Sequence, residues 1–93
     1  MTLRWTTPAR DDLRGILDYI ARDKPAAAME TIDRIESAAL RLPGFPLLGR
    51  EGSVHGTREL HIPGLPFILI YRARKNCIEP LRVLHEARRW PPG

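Results

Sequence analysis

Around Arg22 to Ala28 the chain ends one helical pattern and, within a few residues, begins another. Before this break Ala9, Leu13, Ile16, Leu17 and Ile20 recur at helical spacing over about 15 residues, which puts one apolar stripe along one face. After it, Ala28, Ile32, Ile35, Ala39 and Leu42 make a second stripe. A connection this short turns the two helices back on each other as an antiparallel hairpin. Their alanine-rich stripes suit close packing against each other and against a sheet.

Local signals agree with those limits. Thr6 or Thr7 can cap the first helix, Pro8 fits its first turn, and Asp11 and Asp12 favour the positive end of its dipole. Asp18 and Arg22 stand four apart in the favourable order for a surface pair. Pro25 suits the first turn of the second helix with Asp23 or Lys24 at the cap, and Pro43-Gly44 stops that helix.

The rest of the chain reads as strands and loops. Met1 to Trp5 is a short strand candidate, and Phe45 to Gly56 is loop, rich in glycine and proline. Three further strands are predicted over Thr57 to Ile62, Phe67 to Ala73 and Cys77 to Leu84, with turns at Pro63-Gly64 and Lys75-Asn76. Connections this short make an antiparallel meander. Pro80 cannot donate a ladder hydrogen bond, so the last strand lies at an edge or bulges there. The order β-α-α-β-β-β predicts an α+β fold: one domain over residues 1–93, a helical hairpin packed on an antiparallel sheet.

Bulk properties narrow the function classes. At 93 residues any activity must sit on the surface of one core. No apolar run reaches the roughly 18 residues of a membrane span and no signal peptide is visible, so a soluble, cytoplasmic protein is expected. Cys77, the only cysteine, allows no internal disulfide or thiolate cluster and reads as a buried inert thiol. No residues have metal-ligand spacing and no cofactor is expected. The net charge of +4 lies wholly in residues 49–93, which hold eight basic groups against four acidic ones. Thirteen of the fifteen cations are arginine, suited to planar contacts with phosphate or carboxylate.

Several phrases, in this order along the chain, resemble the RelE/ParE superfamily of type II toxin-antitoxin toxins, and its ParE branch in particular. They are DDLRGILDYIARDKPAAA, LPGFPLLGREG, GTREL, PFILIYR and IEPLRVLHEARRWP, and the resemblance covers nearly the whole chain, from Trp5 to Pro91. Pro80 departs from the pattern, where an aliphatic residue is more usual. The resemblance implies a growth-arresting toxin, of a kind linked to plasmid stabilisation, that is neutralised by a cognate antitoxin whose C-terminal segment wraps it. That antitoxin would be ParD-like, with a ribbon-helix-helix DNA-binding half. ParE-like members poison DNA gyrase, whereas RelE-like members cleave mRNA in the ribosomal A site.

The tail RVLHEARRWPPG carries the residues that bear on this choice. Metal-independent RNA cleavage needs a base, an acid and cations for the developing phosphate charge. His85 could serve in proton transfer, with Arg58, Arg82, Arg88 or Arg89 as cations. On a regular strand, however, Arg82 points with Ile78 and Leu84 while His85 points with Leu81 and Val83, so the two face opposite sides. Trp90 offers no proton-transfer group. His85 therefore admits three readings: a catalyst, a partner contact, or a structural hydrogen bond.

The remaining candidates divide in the same way. Arg58 shares the apolar face with Leu60 and Ile62, either for function or with its stem on the core and its head on a helix carboxylate. Trp90 either stacks on a partner or folds back on its own core, with Trp5 as a possible neighbour. Tyr71 reads as sheet core, His55 and His61 as solvated, and Glu59 and Glu79 as members of surface cross-strand pairs. The expectation is a non-enzymatic toxin that contacts gyrase or its antitoxin through Arg58, Arg82, His85, Arg88, Arg89 and Trp90, with no catalytic residue, no membrane partner and no nucleic-acid specificity. The alternatives are a ribosome-dependent mRNA-cleaving RelE-type toxin and an inactive antitoxin-binding relative.

Overall fold

Helix α1 (Thr7–Ala21) begins where the Thr6 hydroxyl accepts the Ala9 N–H, with Pro8 in its first turn. In this computed structural model, which describes residues 1–88, 90 and 91, α1 turns back at Arg22 to Lys24 into α2 (Pro25–Leu40). Pro25 opens α2 after Lys24, and no side chain caps it. The two helices pack as the expected hairpin.

The strands are β1 (Thr2–Leu3), β2 (Arg50–Glu51), β3 (Arg58–His61), β4 (Phe67–Arg74) and β5 (Cys77–His85). They form one sheet in the order β1-β5-β4-β3-β2. The meander β3-β4-β5 is antiparallel as predicted, and two features add to it. Residues read as loop supply β2, which pairs antiparallel with β3, and β1 pairs parallel with the start of β5. The sheet is therefore mixed.

Pro80 has the effect expected of a residue without an N–H. Tyr71 pairs with Pro80 but Ile70 pairs with Arg82, so Leu81 is left over as a bulge. The carbonyl of Pro80 is used fully: it accepts from the Thr6 backbone at 3.2 Å and from the Thr6 hydroxyl at 2.7 Å. One threonine thus caps α1 and pins it to the bulge.

The bulge overturns the predicted facing of the tail. Phe67, Leu69, Tyr71 and Ala73 alternate along β4 and share one face, and their β5 partners are His85, Val83, Pro80 and Ile78. His85 therefore lies on the face of Ile78, and Arg82 does not. The opposed facing of Arg82 and His85 survives because the bulge precedes both.

Ile35 and Ala39 of α2, with Leu42 just after it, meet Leu69, Tyr71, Ile78 and Val83 of the sheet and Ile62 just past β3 in a closed core, with Leu13 and Ile16 of α1 packed beside it. Trp5 joins this core at the β1 side. Trp90 lies elsewhere, next to Arg50, Ser53 and Glu59 at the β2 side, where its carbonyl accepts from the Ser53 hydroxyl at 2.9 Å. It folds back on its own chain, but the anticipated Trp5 contact is not made, because the whole sheet separates the two edges.

Candidate functional site: a groove between the first helix and the tail

The C-terminal half of α1 stands away from the end of β5 and from the β3-β4 turn, leaving an open groove of about 720 Å³. Ile16, Ile20, Leu65, Phe67 and Val83 supply apolar lining, and Asp11, Tyr19, His85 and Arg88 supply polar groups. Tyr19 is 73 % exposed, although the helix offers it a position beside this apolar surface. Gly15 also lines the groove, and a Cβ built there would meet nothing within 4 Å.

One wall is fixed by charge. Asp12 accepts from Arg82 Nε at 2.7 Å and Nη2 at 3.1 Å, a bidentate pair, and from the Val83 backbone N–H at 2.8 Å. Beyond the reach of β1 this stretch of β5 would be an open edge, and the carboxylate satisfies one of its donors. Asp12 thus serves the sheet rather than the helix dipole, for which it stands too far from the first turn. The pairing holds the Arg82 guanidinium even further above its ordinary pKa.

His85 sits at the rim, exposed, with its ring edge-to-face on Phe67 at a centroid distance of 5.8 Å. Its Nδ1 accepts the Ala87 N–H at 3.0 Å, and its carbonyl accepts the Arg88 N–H at 2.8 Å. The histidine thereby shapes the turn that brings Arg88 to the groove. With Nδ1 accepting, the neutral ring carries its proton on Nε2.

The other predicted residues are placed apart. Arg58 is Tyr71's cross-strand partner and donates to the Gly49 carbonyl at 2.8 Å, so its head meets a loop and not a helix carboxylate. Burial pushes the Tyr71 hydroxyl up in pKa; it donates to the Pro46 carbonyl at 2.8 Å and accepts the Gly49 N–H at 2.9 Å. Arg58 and Tyr71 together latch the loop after α2. Trp90 lies at the β2 side with its indole N–H buried and lacking an acceptor among the described residues. Arg89 lies outside the described residues.

Sequence reading missed Asp12, Tyr19 and Phe67 as parts of a site. The available signal was Gly15, a glycine in a helix interior at a cost of about 1 kcal/mol relative to alanine. Glu79, expected at the surface, is instead 6 % exposed beneath Arg4 and Arg72, which hold its carboxyl down to a pKa of about 2. Cys77 is half-buried and not sealed in the core.

Residues 3–90 match a family described as the ParE toxin of type II toxin-antitoxin systems, parDE. The chain belongs to the ParE toxin family. Among relatives of this ParE-family chain, a Sinorhizobium fredii protein named as a toxin, Y4kP, is 38 % identical over 89 residues, covering 96 % of this chain and 92 % of that protein. Toxin RelE2 of Caulobacter vibrioides is 31 % identical over 84 residues, covering 90 % and 93 %. A solved structure, titled as the chromosomal ParDE TA system from P. aeruginosa, superposes with a TM-score of 0.84 at 28 % identity, covering 91 % of this chain and 95 % of that one. The ParE assignment and the α+β fold with its helical hairpin therefore stand. Among the described residues no helix is long and apolar enough to cross a membrane.

Proposed function

We propose that this ParE-family toxin acts by binding, with DNA gyrase as its target, and that a ParD-like antitoxin neutralises it. The observation that carries this reading is the state of the two tail residues that a ribonuclease would need. Arg82 is held by Asp12 in a bidentate pair, and His85 Nδ1 is occupied by the Ala87 N–H. A charge stabiliser and a proton-transfer group are thus each committed to the fold and face apart. His85 and Arg88 are proposed contacts at the groove end of the tail, and Trp90 and Arg58 at the β2 side, with Arg82 ordering the wall between α1 and β5; Arg89 is proposed as a contact from the sequence alone. The apolar lining of the groove suits the apolar face of an antitoxin helix.

Cleavage of mRNA in the ribosome is the second reading, supported by the name of the Caulobacter relative and by the shared position of His85 and Arg88 at one groove. The purified toxin in two parallel assays separates them: gyrase supercoiling with detection of cleavage complexes, and ribosome-dependent mRNA cleavage. Trapped gyrase-DNA complexes with intact mRNA are expected. Cleaved mRNA with unaffected gyrase would overturn the proposal.

A further inference from the structure

The end of β5 opposite His85 carries a second cluster of charge that the groove does not use. There the hairpin turn Lys75-Asn76 and the parallel strand β1 bring Arg4, Arg72 and Arg74 to the single carboxylate of Glu79, with Lys75 lining the same shallow pocket. Arg4 Nη2 lies 2.7 Å from Oε2, Arg72 Nε 2.7 Å from Oε1, and Arg74 Nη1 4.0 Å from Oε1. The carboxylate is buried, whereas the Arg4 and Arg74 side chains are 71 % and 63 % exposed. Four cations over one anion leave a local excess of positive charge on a sheet end.

The geometry sets these cations up for an outside ligand. Arg4 and Arg72 each spend one nitrogen on Glu79, and a guanidinium has five N–H donors in a fixed fork, so most remain free to point outward. Glu79 holds the Arg4 and Arg72 guanidinium groups in place, which lowers the ordering cost when something binds. Arg72 and Arg74 are two residues apart on one face of β4, roughly 7 Å along the strand. That distance is comparable to the step between successive phosphates of a nucleic-acid strand.

The neutral groups beside them point the same way. A shallow pocket here is lined by Thr2, Arg74, Lys75, Asn76 and Cys77 together with Arg4 and Glu79, and it contains no large apolar side chain. An acidic peptide segment usually needs apolar anchors as well as charge, and this surface offers none. Phosphodiester backbones are held by arginine, lysine, threonine and asparagine without apolar contact. We propose that Arg4, Arg72 and Arg74, organised by Glu79, and Lys75 beside them form a phosphate-backbone contact surface for duplex nucleic acid, without base readout. It does not depend on which protein the groove binds.

The test is fluorescence anisotropy with a short mixed-sequence DNA duplex over a salt titration. The wild-type chain is compared with Arg74→Gln/Lys75→Asn, asparagine being tolerated at the positive φ of Lys75. A control, Arg10→Gln/Arg14→Gln, removes the same charge from exposed positions on α1. The turn variant should weaken binding equally on unrelated sequences and lower the slope of log affinity against log salt by about 2, with the control near wild type. Equal losses in the two variants would mean that net charge alone binds, and the proposal would fail. It would fail also if the wild-type chain ignored DNA, or if polyglutamate bound the turn as tightly as the duplex does. Circular dichroism of each variant confirms that the comparison is between folded proteins.

Discussion

Asp12 joins Arg82 by two hydrogen bonds of 2.7 and 3.1 Å across a separation of 70 residues, and the same carboxylate takes the Val83 N–H. Helix α1 is thereby fixed to the one stretch of β5 that β1 leaves uncovered. Charge-assisted bonds of this kind contribute about 1.5–3 kcal/mol each when their partner is removed. Asp12→Asn should destabilise the protein by about 2 kcal/mol, or roughly 10 °C in Tm for a domain of this size. A thermal melt that left Tm unchanged would show that the pair adds nothing to the fold.

Gly15 separates stability from recognition. Nothing lies within 4 Å of the position a Cβ would occupy, so Gly15→Ala should stabilise α1 by about 0.5–1 kcal/mol. The added methyl enters the proposed docking groove. Antitoxin affinity by calorimetry should therefore fall while Tm rises, and a rise in both would place the partner elsewhere.

Tyr71 and Gly49 are interdependent. A Cβ on Gly49 would come within 2.8 Å of the tyrosine ring and 2.9 Å of its hydroxyl, so only glycine lets the loop reach it. Tyr71→Phe keeps the core volume and strands the Gly49 N–H and the Pro46 carbonyl, at about 1–3 kcal/mol. Urea unfolding should show a lower midpoint with an unchanged slope, the sign of lost stability without altered compactness.

Glu79 predicts a pH dependence of definite sign. Its folded pKa of about 2 lies below the ordinary 4.5 because Arg4 and Arg72 hydrogen-bond the carboxylate. The stabilisation is therefore fully present above pH 4.5 and is lost as the pH falls from there toward 2. Over that window Glu79→Gln should show a flatter stability profile than the wild type. Parallel profiles would mean that the ion cluster is not coupled to folding.

His85 discriminates binding from catalysis. Loss of a general acid or base lowers a rate by about 10² or more. His85→Ala is expected to weaken growth inhibition only modestly, through the lost Phe67 contact and the loosened turn at Ala87. Abolished toxicity with unchanged gyrase affinity would favour the ribonuclease reading.

The helical hairpin and the meander were legible because each is written in local periodicity and short connections. The strand β2 was not, since two residues, Arg50 and Glu51, are too few to alternate. Nor was the parallel pairing of Leu3 with Ile78, for which no turn signal exists. Pro80 announced an irregularity, but only the register shows that Leu81 is the extra residue and that His85 therefore faces α1. The groove stayed hidden for a related reason. Its apolar side chains obey the same helical spacing as the core, and periodicity cannot tell a stripe that is covered from one that is only partly covered.

The parallel pairing of β1 with β5 also sets a schedule. Arg4 meets Glu79 across 75 residues, so β1 waits for β5 before it has a place in the sheet. Until then the β1 edge, the charged cluster around Glu79 and the Thr6 clasp on Pro80 do not exist. The helical hairpin needs only residues close in sequence, whereas this end of the sheet can form only after the chain has been made as far as Glu79.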